Sequence, residues 1–225
     1  MGNRNLYFAT GEYYHIYQRG NNKKEIFYNE SDRLRFLALL YAANASMTIH
    51  LSDYWEKNGS NNRIFTLPRG ETLIDIGAYC LMPNHFHLLV YEKTRGGISS
   101  FMQKLNTGYS MYFNKRHERT GSLLERPFRA QHISNDDYLR YLFAYIHLNP
   151  VKVRDPESWS GKKIKNPNQA KIFLENYRFS SYLYYVGQTS PENTILENKN
   201  FPDYFKDKQD FNSFINDWLT IGGED

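Results

Sequence analysis

The 225-residue chain contains one cysteine, Cys80. A single thiol can neither build an internal disulfide framework nor supply a cysteine-rich zinc module, so the expected compartment is the cytoplasm. Long apolar runs are equally scarce. The longest strongly apolar stretch, "LALLYAA" from Leu37, falls well short of the ~20 residues that span a bilayer, and no membrane partner is expected. No N-terminal charged-then-apolar segment reads as a signal peptide. Internal repeats and low-complexity tracts are absent too. What remains is a globular composition, 40% hydrophobic and 16% aromatic, in a chain large enough to bury a core without staples.

The net charge of +4 is modest until it is divided along the chain. From residue 191 onward there are eight acidic and three basic residues. Residues 1–190 carry 25 basic and 16 acidic ones, a balance of +9. A positive body with an acidic tail suits a polyanionic partner, because Lys and Arg release nucleic-acid counterions on binding. The 19 tyrosines, many beside basic residues, fit single strands, whose bases stack on aromatic rings.

Hydrophobic periodicity gives the order strand, helix, strand, strand, helix, strand, helix. A first strand is predicted over about residues 12–18. A helix follows, capped at Ser31, with Leu34, Leu37, Ala38 and Tyr41 at helical spacing. A polar, turn-rich stretch at about 52–70 reads as a loop or insertion. "TLIDIGAYCL" and "HFHLLVYE" read as two strands joined near "MPN". Phe101, Leu105, Tyr109 and Tyr112 form one stripe of a second helix, and "SLLERPFRAQHIS" is a fourth strand. "NDDYLRYLFAYIHLNP" is a third helix, with Asn135 as cap and Pro150 as stop. The first six elements match the split βαββαβ plan: α+β, an antiparallel four-stranded sheet with two helices on one face. Beyond residue 160, "KKIKNPNQAK" reads as a basic loop, "YRFSSYLYYVG" as an aromatic unit, and "DFNSFINDWLTI" as an amphipathic terminal helix.

The stretch "CLMPNHFHLLVYE" carries the first chemical signal. In a strand, alternate side chains share a face, so His85 and His87 point the same way with Cα atoms about 6.5–7 Å apart. Two imidazoles so placed can converge on one metal ion or one ligand, or simply sit on a half-buried strand. A metal held by two histidines keeps open positions and suits Lewis-acid work on a phosphate. Such a site needs a nucleophile. Tyr138, Tyr141 and Tyr145 lie at i, i+3 and i+7, with Asn149 one turn further along. Tyr109 and Tyr112 are rival nucleophiles, but their stripe has the pattern of core. His147, about 200° around the helix from Tyr145, faces elsewhere.

The set "YHIYQRGNNKKEIF", "YCLMPNHFHLLV", "YSMYFNKRHERTGSLLERPFRAQHI" and "YLRYLFAYIHLNPVK", in this order from about residue 12 to 155, resembles the HUH-type single-tyrosine transposases. The branch it is most similar to is the REP-associated tyrosine transposases. The resemblance implies a ferredoxin-like nuclease core over residues 1–155, interrupted by the polar insertion, and an extension over 156–225. It implies a protein that cuts single-stranded DNA near a folded hairpin. The metal-ligand histidines of the family fall on His85 and His87, its nucleophile on Tyr145, and its polar ligand one helical turn later on Asn149. Pro150 biases the residue before it away from helical geometry, an expectation that bears on where the Asn149 amide points. The implied cofactor is Mg²⁺ or Mn²⁺; imidazole ligands favour Mn²⁺ in affinity, so availability decides. The implied product is a 5′-phosphotyrosine and a free 3′-OH. Arg19, Lys115, Arg116, Arg126 and Arg129 are candidate phosphate contacts, each with solvated surface charge as its alternative. Members of the wider group act as monomers in cis or as dimers that exchange catalytic helices, so a homodimer is one arrangement the resemblance allows.

Two other readings stand beside this one. A domesticated hairpin binder that does not cut would keep the partner and drop the chemistry, but binding alone does not require His85, His87 and Tyr145 together. A small-molecule metal hydrolase would need a third strong ligand and a general base, and Glu125 is the only acid in "LLERPFR".

Overall fold

The computed structural model describes residues 7–51, 61–154 and 164–221. Strands β1 (Tyr13–Arg19), β2 (Asp75–Met82), β3 (His85–Tyr91) and β4 (Arg129–Ile133) form one antiparallel sheet in the order β2-β3-β1-β4. Helix α1 (Glu30–Ala43) connects β1 to β2, and α2 (Gly97–Arg116) connects β3 to β4. This is the α+β, ferredoxin-like split βαββαβ fold that the element order predicts. After β4 come α3 (Asp136–Leu148), the short α4 (Val151–Arg154), α5 (Pro167–Glu175), the short α6 (Tyr182–Tyr185) and α7 (Lys208–Ile221). Among the described residues no helix is long and apolar enough to cross a membrane.

Strand alternation decides which helix meets which face. Phe86, Leu88 and Val90 of β3 are fully buried in one cluster with Phe36 and Leu37 of α1 and Phe101 and Leu105 of α2. Each such side chain contributes about 1.5–3 kcal/mol by leaving water. Leu89 and Tyr91 point the other way and join Leu139, Leu142, Phe143 and Ile146 of α3. The sheet is thus sandwiched between a helix pair and α3. β2 keeps to the same division through a bulge between Ile76 and Ala78: Ile76 faces the helix pair, while Ala78 and Cys80 face α3. The extra residue, Gly77, changes the parity of the strand. A Cβ there would lie 2.7 Å from the Phe201 ring, so glycine is what lets that ring seat against the bulge.

Helix α1 begins two residues earlier than its sequence suggests. Asn29, not Ser31, has extended backbone and accepts from the Asp32 N–H at 3.1 Å, so Ser31 lies inside the helix. At α3 the predicted cap holds: the Asn135 side chain accepts from the Tyr138 N–H at 2.7 Å. α2 is capped from a distance by the fully buried Glu92, whose carboxylate accepts from the N–H groups of Gly96 and Ile98 at 2.8 and 2.7 Å. Pro150 ends α3 without turning the chain out of helical space. Asn149 has φ −51° and ψ −39°, against the bias expected before proline, and the Lys152 and Val153 N–H groups bond back to Asn149 and Pro150.

The C-terminal residues close the two open sides of this arrangement. Phe179–Ser181 pair with the free edge of β2, with Leu81 N–H donating to Phe179 O at 2.9 Å and Ser181 N–H to Tyr79 O at 3.0 Å. An uncovered edge would offer its backbone to other chains. Ala144, Leu148 and Val151 pack against Ala170 and Leu174 of α5 and Phe211, Ile215 and Leu219 of α7. The segment expected as a basic loop therefore contains a helix, with Asn166 capping α5 and Pro167 in its first turn. The polar insertion is also only partly a loop. Residues 52–60 lie outside the described residues, but Asn61–Thr66 form a 3₁₀ turn that buries Ile64 and Phe65 in the main core.

Candidate functional site

Strands β1 and β3 are neighbours, with Tyr17 opposite His87 and Arg19 opposite His85. Odd-numbered residues of both strands face α3, so His15, Tyr17, Arg19, His85 and His87 share one surface. Leu139, Leu142 and Ile146 fix α3 to the apolar part of the sheet. The spacing of the helix then carries Tyr138, Tyr141 and Tyr145 to its rim, above the polar part. The result is a cleft of about 510 Å³, lined by those tyrosines and histidines together with Arg19, Arg129, Gln131, Asn149 and Lys152.

Tyr145 stands edge-on to both His87 and His15, with ring centroids 5.6 and 5.8 Å apart. The Lys152 ammonium lies 4.6 Å from the centre of the Tyr145 ring. Asn149, 1% exposed, donates from its amide to the Tyr145 carbonyl at 2.8 Å. That bond ties the asparagine to the tyrosine one turn earlier, and it depends on Asn149 keeping helical geometry.

Both ring nitrogens on the δ side of the histidine pair are occupied. His85 Nδ1 lies 2.6 Å from Asn84 Oδ1, and His87 Nδ1 shares a 2.9 Å hydrogen bond with His15 Nε2. This leaves the two Nε2 atoms as the donors the pair can turn toward a ligand. Burial is the main cause that lowers His15 to about 4. It also lowers His85 to about 4, helped by the nearby Arg19 and Lys152 charges. His87 is held well below the usual range by burial first, then by His15 and His85. At neutral pH all three are uncharged imidazoles, the form that can offer a lone pair to a cation. Among the described residues no group of three or more His, Cys, Asp or Glu side chains converges on one point. The donors present are therefore two imidazoles and an amide oxygen, a set that fits a divalent ion sharing its remaining positions with substrate oxygens.

The tyrosine hydroxyl is not activated by its surroundings alone. Burial raises Tyr145 above its ordinary value, opposed by the Asn149 side chain and the Arg19 charge. Lys152 is pushed down to about 8, chiefly by burial, which makes its ammonium readier to gain an anionic partner. The rival tyrosines are structural. Tyr109 is fully buried and its hydroxyl donates to the Ile26 carbonyl, while Tyr112 donates to Asp32 at 3.3 Å. His147 faces away, as its position on the helix predicts, with Nε2 2.7 Å from Ser181 Oγ in a shell of aromatic rings.

Of the five candidate phosphate contacts, Arg19 and Arg129 line the cleft. Lys115 and Arg116 lie exposed in the last turn of α2, where Arg116 Nε approaches Asp32 at 3.7 Å. Arg126 is exposed and does not line the cleft, although its neighbours Glu125 and Pro127 do. Among the lining residues that escape sequence reasoning are His15, Tyr17 and Lys152. His15 and Tyr17 sit on β1 in the alternation Tyr13, His15, Tyr17, but which strand lies beside them is a tertiary fact. Lys152 lies seven residues after Tyr145, on its helical face, a relation hidden by taking Pro150 as the end of the helix.

Comparison with known proteins covers the same part of the chain. Residues 62–149 match the family described as "Transposase IS200 like". No protein of curated function matches the chain. A solved structure of a REP-associated tyrosine transposase bound to a REP hairpin is similar in fold, with a TM-score of 0.51 and 15% sequence identity over 85% of this chain and 90% of that one. The matched stretch holds His85, His87, Tyr145 and Asn149, and over it the chain is similar to that family, as its motifs are.

Proposed function

We propose that this protein cuts and rejoins single-stranded DNA beside a folded hairpin, with Tyr145 as the nucleophile. The observation that carries the reading is the placement of Tyr145 edge-on to His87, in a cleft also lined by Arg19, Arg129 and Lys152. His85 and His87 through Nε2, with Asn149 through its amide oxygen, would hold Mg²⁺ or Mn²⁺. Such an ion, when bound, supplies Lewis-acid stabilisation of the charge that builds on phosphate oxygens.

The remaining steps belong to the side chains. Arg19, Arg129 and Lys152 draw the phosphodiester into the cleft and hold its non-bridging oxygens. Tyr145 gives up its hydroxyl proton to water, and the phenolate oxygen attacks phosphorus. The bond to the 3′ oxygen breaks, that oxygen takes a proton from water, and the DNA keeps a 5′-phosphotyrosine linkage. The linkage conserves the energy of the phosphodiester, so a second 3′-OH can reverse the step onto another strand without ATP. Burial raises the hydroxyl, so the neighbouring positive charges must offset that cost for the phenolate to form.

The test is a denaturing gel. The protein is incubated with Mn²⁺ and labelled single-stranded hairpins taken from the DNA flanking its own gene. A slow-moving covalent species that disappears with EDTA and with Tyr145→Phe is expected. Tight binding without any adduct, with or without metal, would instead identify a hairpin-binding protein that does not cut. Turnover of a generic phosphoester by metal and protein alone would point to a small-molecule hydrolase.

A further inference from the structure

His15 has no role in the scheme above, and nothing in the family match covers it, since the matched residues begin at 62. It is 5% exposed, as is His87, and the two rings lie nearly parallel at 20° with centroids 5.1 Å apart. His15 Nε2 and His87 Nδ1 are 2.9 Å apart. Two neutral imidazoles in a hydrogen bond share one proton between the facing nitrogens.

That proton has two places to sit, and they have opposite consequences. On His15 Nε2 it makes His87 the acceptor, and the proton of His87 must then occupy its Nε2, so the ring turns an N–H donor toward its remaining partner. On His87 Nδ1 it makes His15 the acceptor, and His87 Nε2 keeps a lone pair. His85 follows the second pattern, since Asn84 Oδ1 can only accept from its Nδ1. The matching arrangement for His87 needs an acceptor fixed at Nδ1, and the residue within reach of that atom is His15.

We infer that His15 is a positioning residue, which holds the His87 ring in place and fixes it as the Nδ1–H tautomer with the Nε2 lone pair directed into the cleft. The role rests on the reading of His85 and His87 as a metal pair, yet it makes a claim about the metal-free protein as well. Histidine ligands oriented in this way by an outer partner lose metal affinity when that partner is removed, by about 10- to 100-fold.

The tautomer is read first, by long-range ¹H–¹⁵N NMR of the metal-free protein labelled at histidine, with His87→Ala identifying the His87 signals. His87 protonated at Nδ1 is the expected result, and His87 protonated at Nε2 overturns the inference. Mn²⁺ affinity is then measured by the loss of the free-ion EPR signal. His15→Leu should weaken Mn²⁺ binding about 10- to 100-fold. His15→Gln, which can present an amide oxygen near the Nε2 position, should recover most of that loss and the Nδ1–H tautomer. If His15→Leu binds Mn²⁺ like the native chain, or if Gln recovers nothing while Leu abolishes binding, His15 is not a positioning residue. The second pattern would make it a ligand itself. Failure of the metal reading looks different: His87→Ala would leave Mn²⁺ binding unchanged, and the tautomer alone would then decide the role of His15.

Discussion

The two faces of the sheet are built from the same strands and do opposite work. Toward α1 and α2, β3 presents Phe86, Leu88 and Val90, all fully buried, and β1 presents Ile16. Toward α3, the same two strands present His85, His87 and Leu89, and Tyr13, His15 and Tyr17. Along β3 the face toward α1 and α2 is apolar from end to end. The other changes along its length, from an apolar half that anchors α3 to a polar half that α3 overhangs with tyrosines. A period-two pattern thus separates stability from chemistry at single-residue spacing, because neighbours in a strand never share a surface. Mutations at adjacent positions should therefore fail in different ways.

The largest contrast pairs Tyr145 and His87 with Phe86. Tyr145→Phe and His87→Ala should each abolish adduct formation, with losses on the order of 10⁴-fold or more in rate, as for removal of a nucleophile elsewhere. Tyr145→Phe should lower the melting temperature little, since it removes only a hydroxyl at the cleft, whereas His87→Ala also removes a buried ring hydrogen-bonded to His15 and should cost about 1–3 kcal/mol of stability. Phe86→Ala should do the reverse. Its fully buried ring touches Phe36 with centroids 4.8 Å apart, and its loss should cost about 3–5 kcal/mol in chemical denaturation. The protein that remains folded should still form adduct. A Phe86→Ala protein that is stable but inactive would show that the two faces are coupled.

The next effect is a pH dependence confined to the α3 side. His147 is fully buried and lowered to about 3 by burial, against an ordinary value near ~6.5. Its folded pKa lies below its unfolded one, so the unfolded chain binds the extra proton. The stability it contributes is complete above about pH 6.5 and falls as pH drops toward 3. At pH 4 the loss should reach about 3 kcal/mol from this residue, at ~1.4 kcal/mol per pH unit. His15 and His85, each lowered to about 4, add to the same slope. Urea unfolding at pH 7 and pH 4 measures it, and His147→Phe should flatten the difference. An unchanged slope in that variant would place the acid sensitivity elsewhere.

Much of this was legible in the sequence, and the exceptions share a cause. Local patterns predict the sheet, the three long helices of the core, the Asn135 cap and the common face of His85 and His87. Each depends on spacing within one segment. Partners set by the exact backbone path or by strand register are hidden. Glu92 caps a helix four residues ahead because the strand end happens to lie beneath it, and Asn29 displaces Ser31 because the backbone is extended there. His15 alternates correctly on β1, but only the antiparallel register brings it beside His87. Lys152 was obscured by Pro150, which removes one N–H yet leaves the chain helical enough to return Lys152 to the Tyr145 face.

The smallest expected effect sharpens the comparison within the basic residues themselves. Arg19 and Arg129 line the cleft, whereas Lys115 and Arg126 are exposed elsewhere. If the single strand runs through the cleft, Arg19→Gln with Arg129→Gln removes two phosphate contacts. The slope of log affinity against log salt should then become shallower by about 1.4, at ~0.7 per contact for a single strand. Lys115→Gln with Arg126→Gln changes net charge by the same amount without touching the cleft, so its slope should stay near that of the native chain. Fluorescence anisotropy with a hairpin carrying a single-stranded flank, measured over a range of salt, distinguishes the two pairs. Equal slopes would mean that total charge, rather than the cleft, sets DNA affinity. A larger change in the second pair would move the DNA path to the end of α2, away from the face that holds the histidines.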